Sequence, residues 1–310
     1  MNGTTMKRVQ WIGACAAVIG LGAGCQVLGG FEDFSAGGGA ASGSGGAAGE
    51  AGAAGTAGSA GASGASGQAG AAGGTPSCDT DAPPTIQGAS MARVQSPSGK
   101  CFWMDKTEVS RAEYDEFLVT PFAAMESPCQ WAQSHEPACD PSAGSDGGIV
   151  PEAPGSHPVV CVTWCDALAY CKWAGKTLCQ GSYVEADNPG KSDWMSVCSN
   201  GGATTYPYGA AYQGTLCNGD QFPQTGCPDC TTFPANEQTS CATQSGVTNM
   251  SGNVAEWVDE CSNNSGETDD CRTRGGSYAS DASKLECGAT SGYQRSAATP
   301  TVGFRCCLYD

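Results

Sequence analysis

Cysteine sets the limits on how this chain can fold. Twenty cysteines are present, and eighteen lie from Cys78 onward, an even number. Thiols at that density in an exported chain close into bridges, so a framework of up to nine disulfides is expected. Zinc is the competing use of cysteine. Only Cys227 and Cys230 have the spacing of a ligand pair, and no second pair of that spacing accompanies them. Pairing cannot be deduced from order alone, but Cys129 with Cys139 and Cys261 with Cys271 bracket polar loops and are candidate short-range bridges. Residue content by itself gives an α+β, disulfide-rich domain.

The export that this framework requires is written at the N-terminus. Lys7 and Arg8 precede an apolar run from Trp11 to Ala23, and Gly24-Cys25 follows. A basic start, a short apolar core and small residues read as a secretory signal over 1–24, too short for a stable membrane span. The ending Leu21-Gly22-Ala23-Gly24-Cys25 resembles a bacterial lipobox, which would make Cys25 the lipidated first residue. The alternative is ordinary cleavage near Ala23 that leaves Cys25 a plain thiol. From Ser35 to Pro76 the chain is almost wholly Gly, Ala and Ser, with Glu50 its only charge. Such a stretch cannot bury enough apolar surface to offset its ordering entropy, so 25–77 is expected to be a disordered tether. As a random coil the Ser35–Pro76 stretch spans about 35–40 Å. Partners are bounded by charge: 31 acidic residues face 14 basic ones. That excess argues against nucleic acid and against anionic headgroups, so the membrane is reached through the lipid. The expected location is the exported face of the bacterial envelope, at the outer membrane.

The remainder, 78–310, is long enough for one domain with its own core. Cys101 to Met104 reads as a strand. Ser110 with Glu113 forms a capping box that starts a helix carrying Tyr114, Phe117 and Leu118 on one face. A second helix follows the apolar run His157 to Val162. Thr163 and Asp166 repeat the capping box, Trp164, Leu168 and Cys171 give the buried stripe, and Gly175 stops it.

Three motifs close the chain: Asn249-Met250-Ser251-Gly252-Asn253-Val254-Ala255-Glu256-Trp257, then Arg274-Gly275-Gly276-Ser277-Tyr278, then Gly303-Phe304-Arg305. In this order they resemble the formylglycine-generating enzyme, or sulfatase-modifying factor, family. The run Asp105-Lys106-Thr107-Glu108-Val109 and a Pro-Val strand before the second helix extend the likeness over about 210 residues, essentially the whole domain. The resemblance implies an irregular α+β fold, C-type-lectin-like, with little regular secondary structure. It also marks an insertion between Lys176-Thr177-Leu178-Cys179-Gln180 and Ser192, which Cys179 and Cys198 are expected to staple.

The same resemblance assigns candidate sites. Asn249 and Glu256 by side chain, with the Gly252 and Val254 carbonyls, match a structural calcium site, and hard oxygen ligands of mixed type suit that ion. The competing reading is that Asn249 and Glu256 bond the loop backbone. Asn218 matches one ligand of a second calcium site. Trp257 is a packing anchor in either case. The family's oxidases hold Cu(I) on two thiolates, and those positions are Ser280 and Leu285 here; Ser277 matches a serine lining the active site. A hydroxyl is a poor ligand for a soft ion and leucine is none, so copper is not expected. Cys287, Cys306 and Cys307 are expected in bridges, and Arg274 and Arg305 in pairs with buried carboxylates. With only His135 and His157, a three-histidine iron site is impossible and no hydrolase triad can be assembled. The expectation is a non-catalytic, lipid-anchored module that binds a peptide, glycan or protein, or serves structurally. The alternative is an active oxidase that makes formylglycine with other copper ligands.

Overall fold

The computed structural model describes Cys78 and residues 85–96, 98–139, 154–223, 232–237 and 239–310. Cys25, the expected tether and the Cys227–Cys230 pair lie outside the described residues. Among those described, no helix is long and apolar enough to cross a membrane.

Two four-stranded sheets form the frame. In the first, β1 (Met91–Gln95), β2 (Cys101–Asp105), β8 (Cys306–Tyr309) and β3 (Thr177–Leu178) lie side by side, all antiparallel. In the second the order is β6 (Thr290–Gln294), β5 (Asp270–Arg274), β4 (Ala255–Cys261) and β7 (Val302–Phe304). β4 runs antiparallel to β5 and parallel to β7. Only Arg305 separates β7 from β8, so the chain passes from one sheet to the other at that residue.

The helices are short and firmly capped. α1 (Arg111–Leu118) starts at Ser110 and α2 (Trp164–Trp173) at Thr163, and both capping boxes form as expected. α3 (Asp193–Cys198) is capped by the Ser192 hydroxyl. Tyr114, Phe117, Tyr170 and Phe304 meet edge-on or stacked in the main core, together with Trp164 and Trp257. A second core gathers Phe102, Met104, Trp194, Val247, Met250 and Val258. Two details differ from expectation. Leu168 is only half-buried, because it packs at the edge of the core and also lines a cavity. His157 to Val162 makes no strand. Pro158 has no N–H to donate and Cys161 sits at φ 60°, which leaves one isolated bridge to Ser110.

Eight disulfides join sixteen cysteines among the described residues. Cys261–Cys271 forms as expected, across β4 and β5. Two expectations are corrected. Cys129 pairs with Cys165 and Cys139 with Cys161, because the loop folds back on α2 instead of closing on itself. Cys179 and Cys198 reach Cys307 and Cys287, so they tie the flanks of the insertion to distant parts of the chain. Adjacent residues of a strand face opposite sides. Cys306 therefore crosslinks to Cys171 in one core while Cys307 crosslinks to Cys179 in the other.

Candidate functional site

The loop that leads into β4 is held by left-handed backbone and amide side chains. Asn249, Gly252 and Asn253 have φ of 57°, 79° and 62°. At Gly252 a Cβ would stand 2.2 Å from the Asn218 carbonyl oxygen, so only glycine fits. The Asn249 and Asn253 amides donate to the two oxygens of Glu108, at 3.0 and 2.8 Å. Asn218 Nδ2 donates to Asn253 Oδ1 at 3.2 Å. Glu108 is wholly buried, and burial pushes it up to about 7, against the pull of Arg305 and with the charge of Glu256 adding to the rise.

Glu256 faces a different partner from the one its sequence position implied. Arg305 Nη2 donates to its Oε1 at 2.6 Å, and Arg305 Nε and Trp194 Nε1 both donate to its Oε2 at 2.7 Å. The same guanidinium donates to the carbonyls of Asp105 and Thr248, and so bonds groups from both halves of the fold. Both oxygens of Glu256 are committed to cationic or N–H donors, and the Asn249 amide nitrogen is committed to Glu108 and to the Ala235 carbonyl. Three donors leave about one acceptor site on Glu256, and a calcium ion taking it would sit against the buried Arg305 guanidinium. Beyond that shared carboxylate only neutral oxygens from Asn249, Gly252 and Val254 are offered, a weak set for a hard dication. These residues do not fit the calcium site that their spacing suggested. Asn218 likewise has its amide turned to Asn253. Among the described residues no cluster of three acidic, histidine or cysteine side chains could hold a metal.

The expected copper positions are now in view. After β5 the chain turns through Gly275 and Gly276, at φ 84° and 64°. Ser280 folds its hydroxyl back to accept from the Ser277 N–H at 2.9 Å, which closes the turn. Ser277 is buried and its own hydroxyl accepts from the Ala279 N–H. Leu285 is 1% exposed and its Cδ1 lies over Gly219, where a Cβ would come within 2.4 Å. The Ser251 hydroxyl donates to the Leu285 carbonyl. Cys287, two residues on, is bridged to Cys198, and Cys217 near Gly219 is bridged to Cys241. The structure thus puts Ser277 and Ser280 in one turn and Leu285 in the apolar packing beneath it.

Both arginines pair with buried carboxylates as expected: Arg274 with Glu260 at 2.8 Å and Arg305 with Glu256. A third buried pair, Lys176 with Asp105 at 2.6 Å, was not foreseen. Burial pushes Asp105 up to about 6, against the pull of Lys176. The signal available for it was thin, since Asp105 and Lys176 lie 71 residues apart.

The family model described as a sulfatase-modifying factor enzyme 1-like domain matches residues 68–309. The formylglycine-generating enzyme of Mus musculus is 30% identical over 285 residues, which is 73% of this chain and 71% of that protein. That of Bos taurus is 28% identical over 280 residues, 72% and 70% of the two chains. Among solved structures, PvdO from Pseudomonas aeruginosa overlies 74% of this chain and 100% of its own, at 17% identity and a TM-score of 0.49.

Proposed function

We propose that this chain, which belongs to the sulfatase-modifying factor enzyme family, keeps the family fold as a non-catalytic surface module that binds a peptide, glycan or protein. One observation carries the reading. At the two positions where the resemblance places copper thiolates, Leu285 is packed on Gly219 and the Ser280 hydroxyl closes a backbone turn. The cysteines closest in sequence to these positions, Cys287 and Cys271, are bridged. Cu(I) favours soft sulfur ligands, and a bridged sulfur offers no thiolate. The N-terminal segment supports a lipid anchor at Cys25 that holds the module on the outer membrane, with 25–77 as its tether.

The second reading, an oxidase that converts a substrate cysteine to formylglycine, is favoured by the activity named in the mouse and bovine relatives. One experiment separates the two. The purified domain is titrated with Cu(I) against a competing chelator, and oxygen uptake is followed with a cysteine-containing peptide. No stoichiometric copper and no uptake are expected. One tightly held Cu(I) per chain with copper-dependent oxidation of the peptide would establish the oxidase instead.

A further inference from the structure

A cavity of about 670 Å³ lies between α1, α2 and the loop 120–136, and nothing in the foregoing reading uses it. Its volume is that of a site for a small organic molecule. Its lining includes the aromatic rings of Phe117, Phe122 and Trp173 and the aliphatic side chains of Leu118, Met125 and Leu168. The loop is anchored at its middle and near its end. Cys129 is bridged to Cys165 of α2, and the Tyr114 hydroxyl donates to the His135 carbonyl at 2.8 Å.

One buried polar side chain belongs to the lining. His135 is 7% exposed, and its ring lies beside Phe117 and Phe122, with centroids 5.2 and 4.8 Å away. Its Nδ1 is 2.9 Å from Asp166 Oδ1. A carboxylate at that distance fixes the proton on Nδ1, so in the neutral ring Nε2 is left as an acceptor. The charged residues of the lining, Glu126, Glu136 and Lys172, are exposed. Their charged ends stay solvated at the rim, so a charge placed against the aromatic rings would lose water and gain at best a solvated partner, which disfavours ionic ligands. Phe122, 45% exposed, presents its ring at the mouth.

We infer that this cavity binds a neutral aromatic molecule of one or two rings that bears a hydroxyl, the rings packing on Phe117, Phe122 and Trp173 and the hydroxyl donating to His135. The site is independent of the segment that holds Ser280 and Leu285, so neither proposal depends on the other.

Isothermal titration of the whole folded domain with three matched probes tests it. 2-Naphthol should bind once per chain. 2-Methoxynaphthalene, which keeps the shape but cannot donate, should bind at least about tenfold more weakly, one good hydrogen bond. 2-Naphthoate should not bind measurably. Ala169→Trp, which fills the cavity from α2, should abolish 2-naphthol binding, and Phe122→Ala, an exposed loop change that spares the core, should weaken it. Absence of 2-naphthol binding overturns the inference. So does equal binding of all three probes, or undiminished binding to Phe122→Ala.

Discussion

Single buried charges decide how this molecule responds to pH. Asp105 and Glu108 are both raised by burial, to about 6 and about 7, from ordinary values near 4. A carboxyl whose folded value is raised binds its proton more tightly in the native state. Its stabilising effect is complete below the unfolded value and is lost as pH rises through the folded one. The domain should therefore melt at lower temperature at pH 8 than at pH 5.5. His157 works the other way below its ordinary range, because partial burial disfavours its charged form. Asp281 and Asp310 are held down by hydrogen bonds, from Ser283 and Arg93 respectively, and lose their contribution only in stronger acid. Stability should peak in mild acid. Thermal melts across this range check the sign, and Glu108→Gln should flatten the alkaline fall. Arg305 makes a second residue-scale case. Arg305→Leu leaves Glu256 charged and buried, a loss on the order of 3–5 kcal/mol by urea unfolding. Adding Glu256→Gln should recover part of that loss, since the amide oxygen still accepts from Trp194. Because the guanidinium already provides the countercharge, a chelator should leave the melting temperature of the wild type unchanged.

At the scale of elements, local chemistry was readable and long-range pairing was not. Both capping boxes, the stop at Gly175 and the strand at Cys101 follow from signals within four residues of each other. So did the pairing of Cys261 with Cys271, ten residues apart on adjacent strands. The partners of Cys306 and Cys307 lie 135 and 128 residues away, and no local pattern names them. Only the strand period explains the result, by sending neighbouring cysteines to opposite faces. The same limit hid the Glu256–Arg305 contact. Motif spacing put Glu256 among oxygen ligands, whereas sheet pairing of Glu256 with Gly303 brought Arg305 to it. The cavity under α1 and α2 was hidden for a related reason: Leu168 falls on the helical period of the core and packs against it, yet also lines the cavity. Because β8 is crosslinked to both cores, its bridges should dominate stability. Replacing Cys171 and Cys306 together by alanine should cost about 3–5 kcal/mol, the range for closing a loop of that length. Denaturant unfolding of the double variant measures it. A loss under about 1 kcal/mol would mean that packing, not the crosslink, holds β8 in place.

The whole molecule joins a crosslinked body to a segment of entirely different composition, and the anchor is where the two can be tested together. The chain carries a formal net charge of −17, so the body has no electrostatic reason to stay on an anionic membrane. If the protein is held at a membrane as proposed, the attachment is expected to be apolar and to act through the N-terminal residues. An acyl chain on Cys25 meets that demand, since each buried methylene contributes about 0.8 kcal/mol and two or more chains together hold stably. Salt distinguishes this from ionic adsorption. Surface charge pairs weaken at high ionic strength, whereas a lipid anchor does not. A wash in concentrated salt should therefore leave the wild-type protein in the membrane fraction, while detergent should release it. Cys25→Ser removes the acceptor of the lipid without touching any disulfide among the described residues. It should move the protein wholly to the soluble exported fraction with its melting temperature unchanged. Should the variant stay with the membrane, or the wild type come away in salt, attachment through Cys25 would be wrong and a protein partner at the surface would have to take its place.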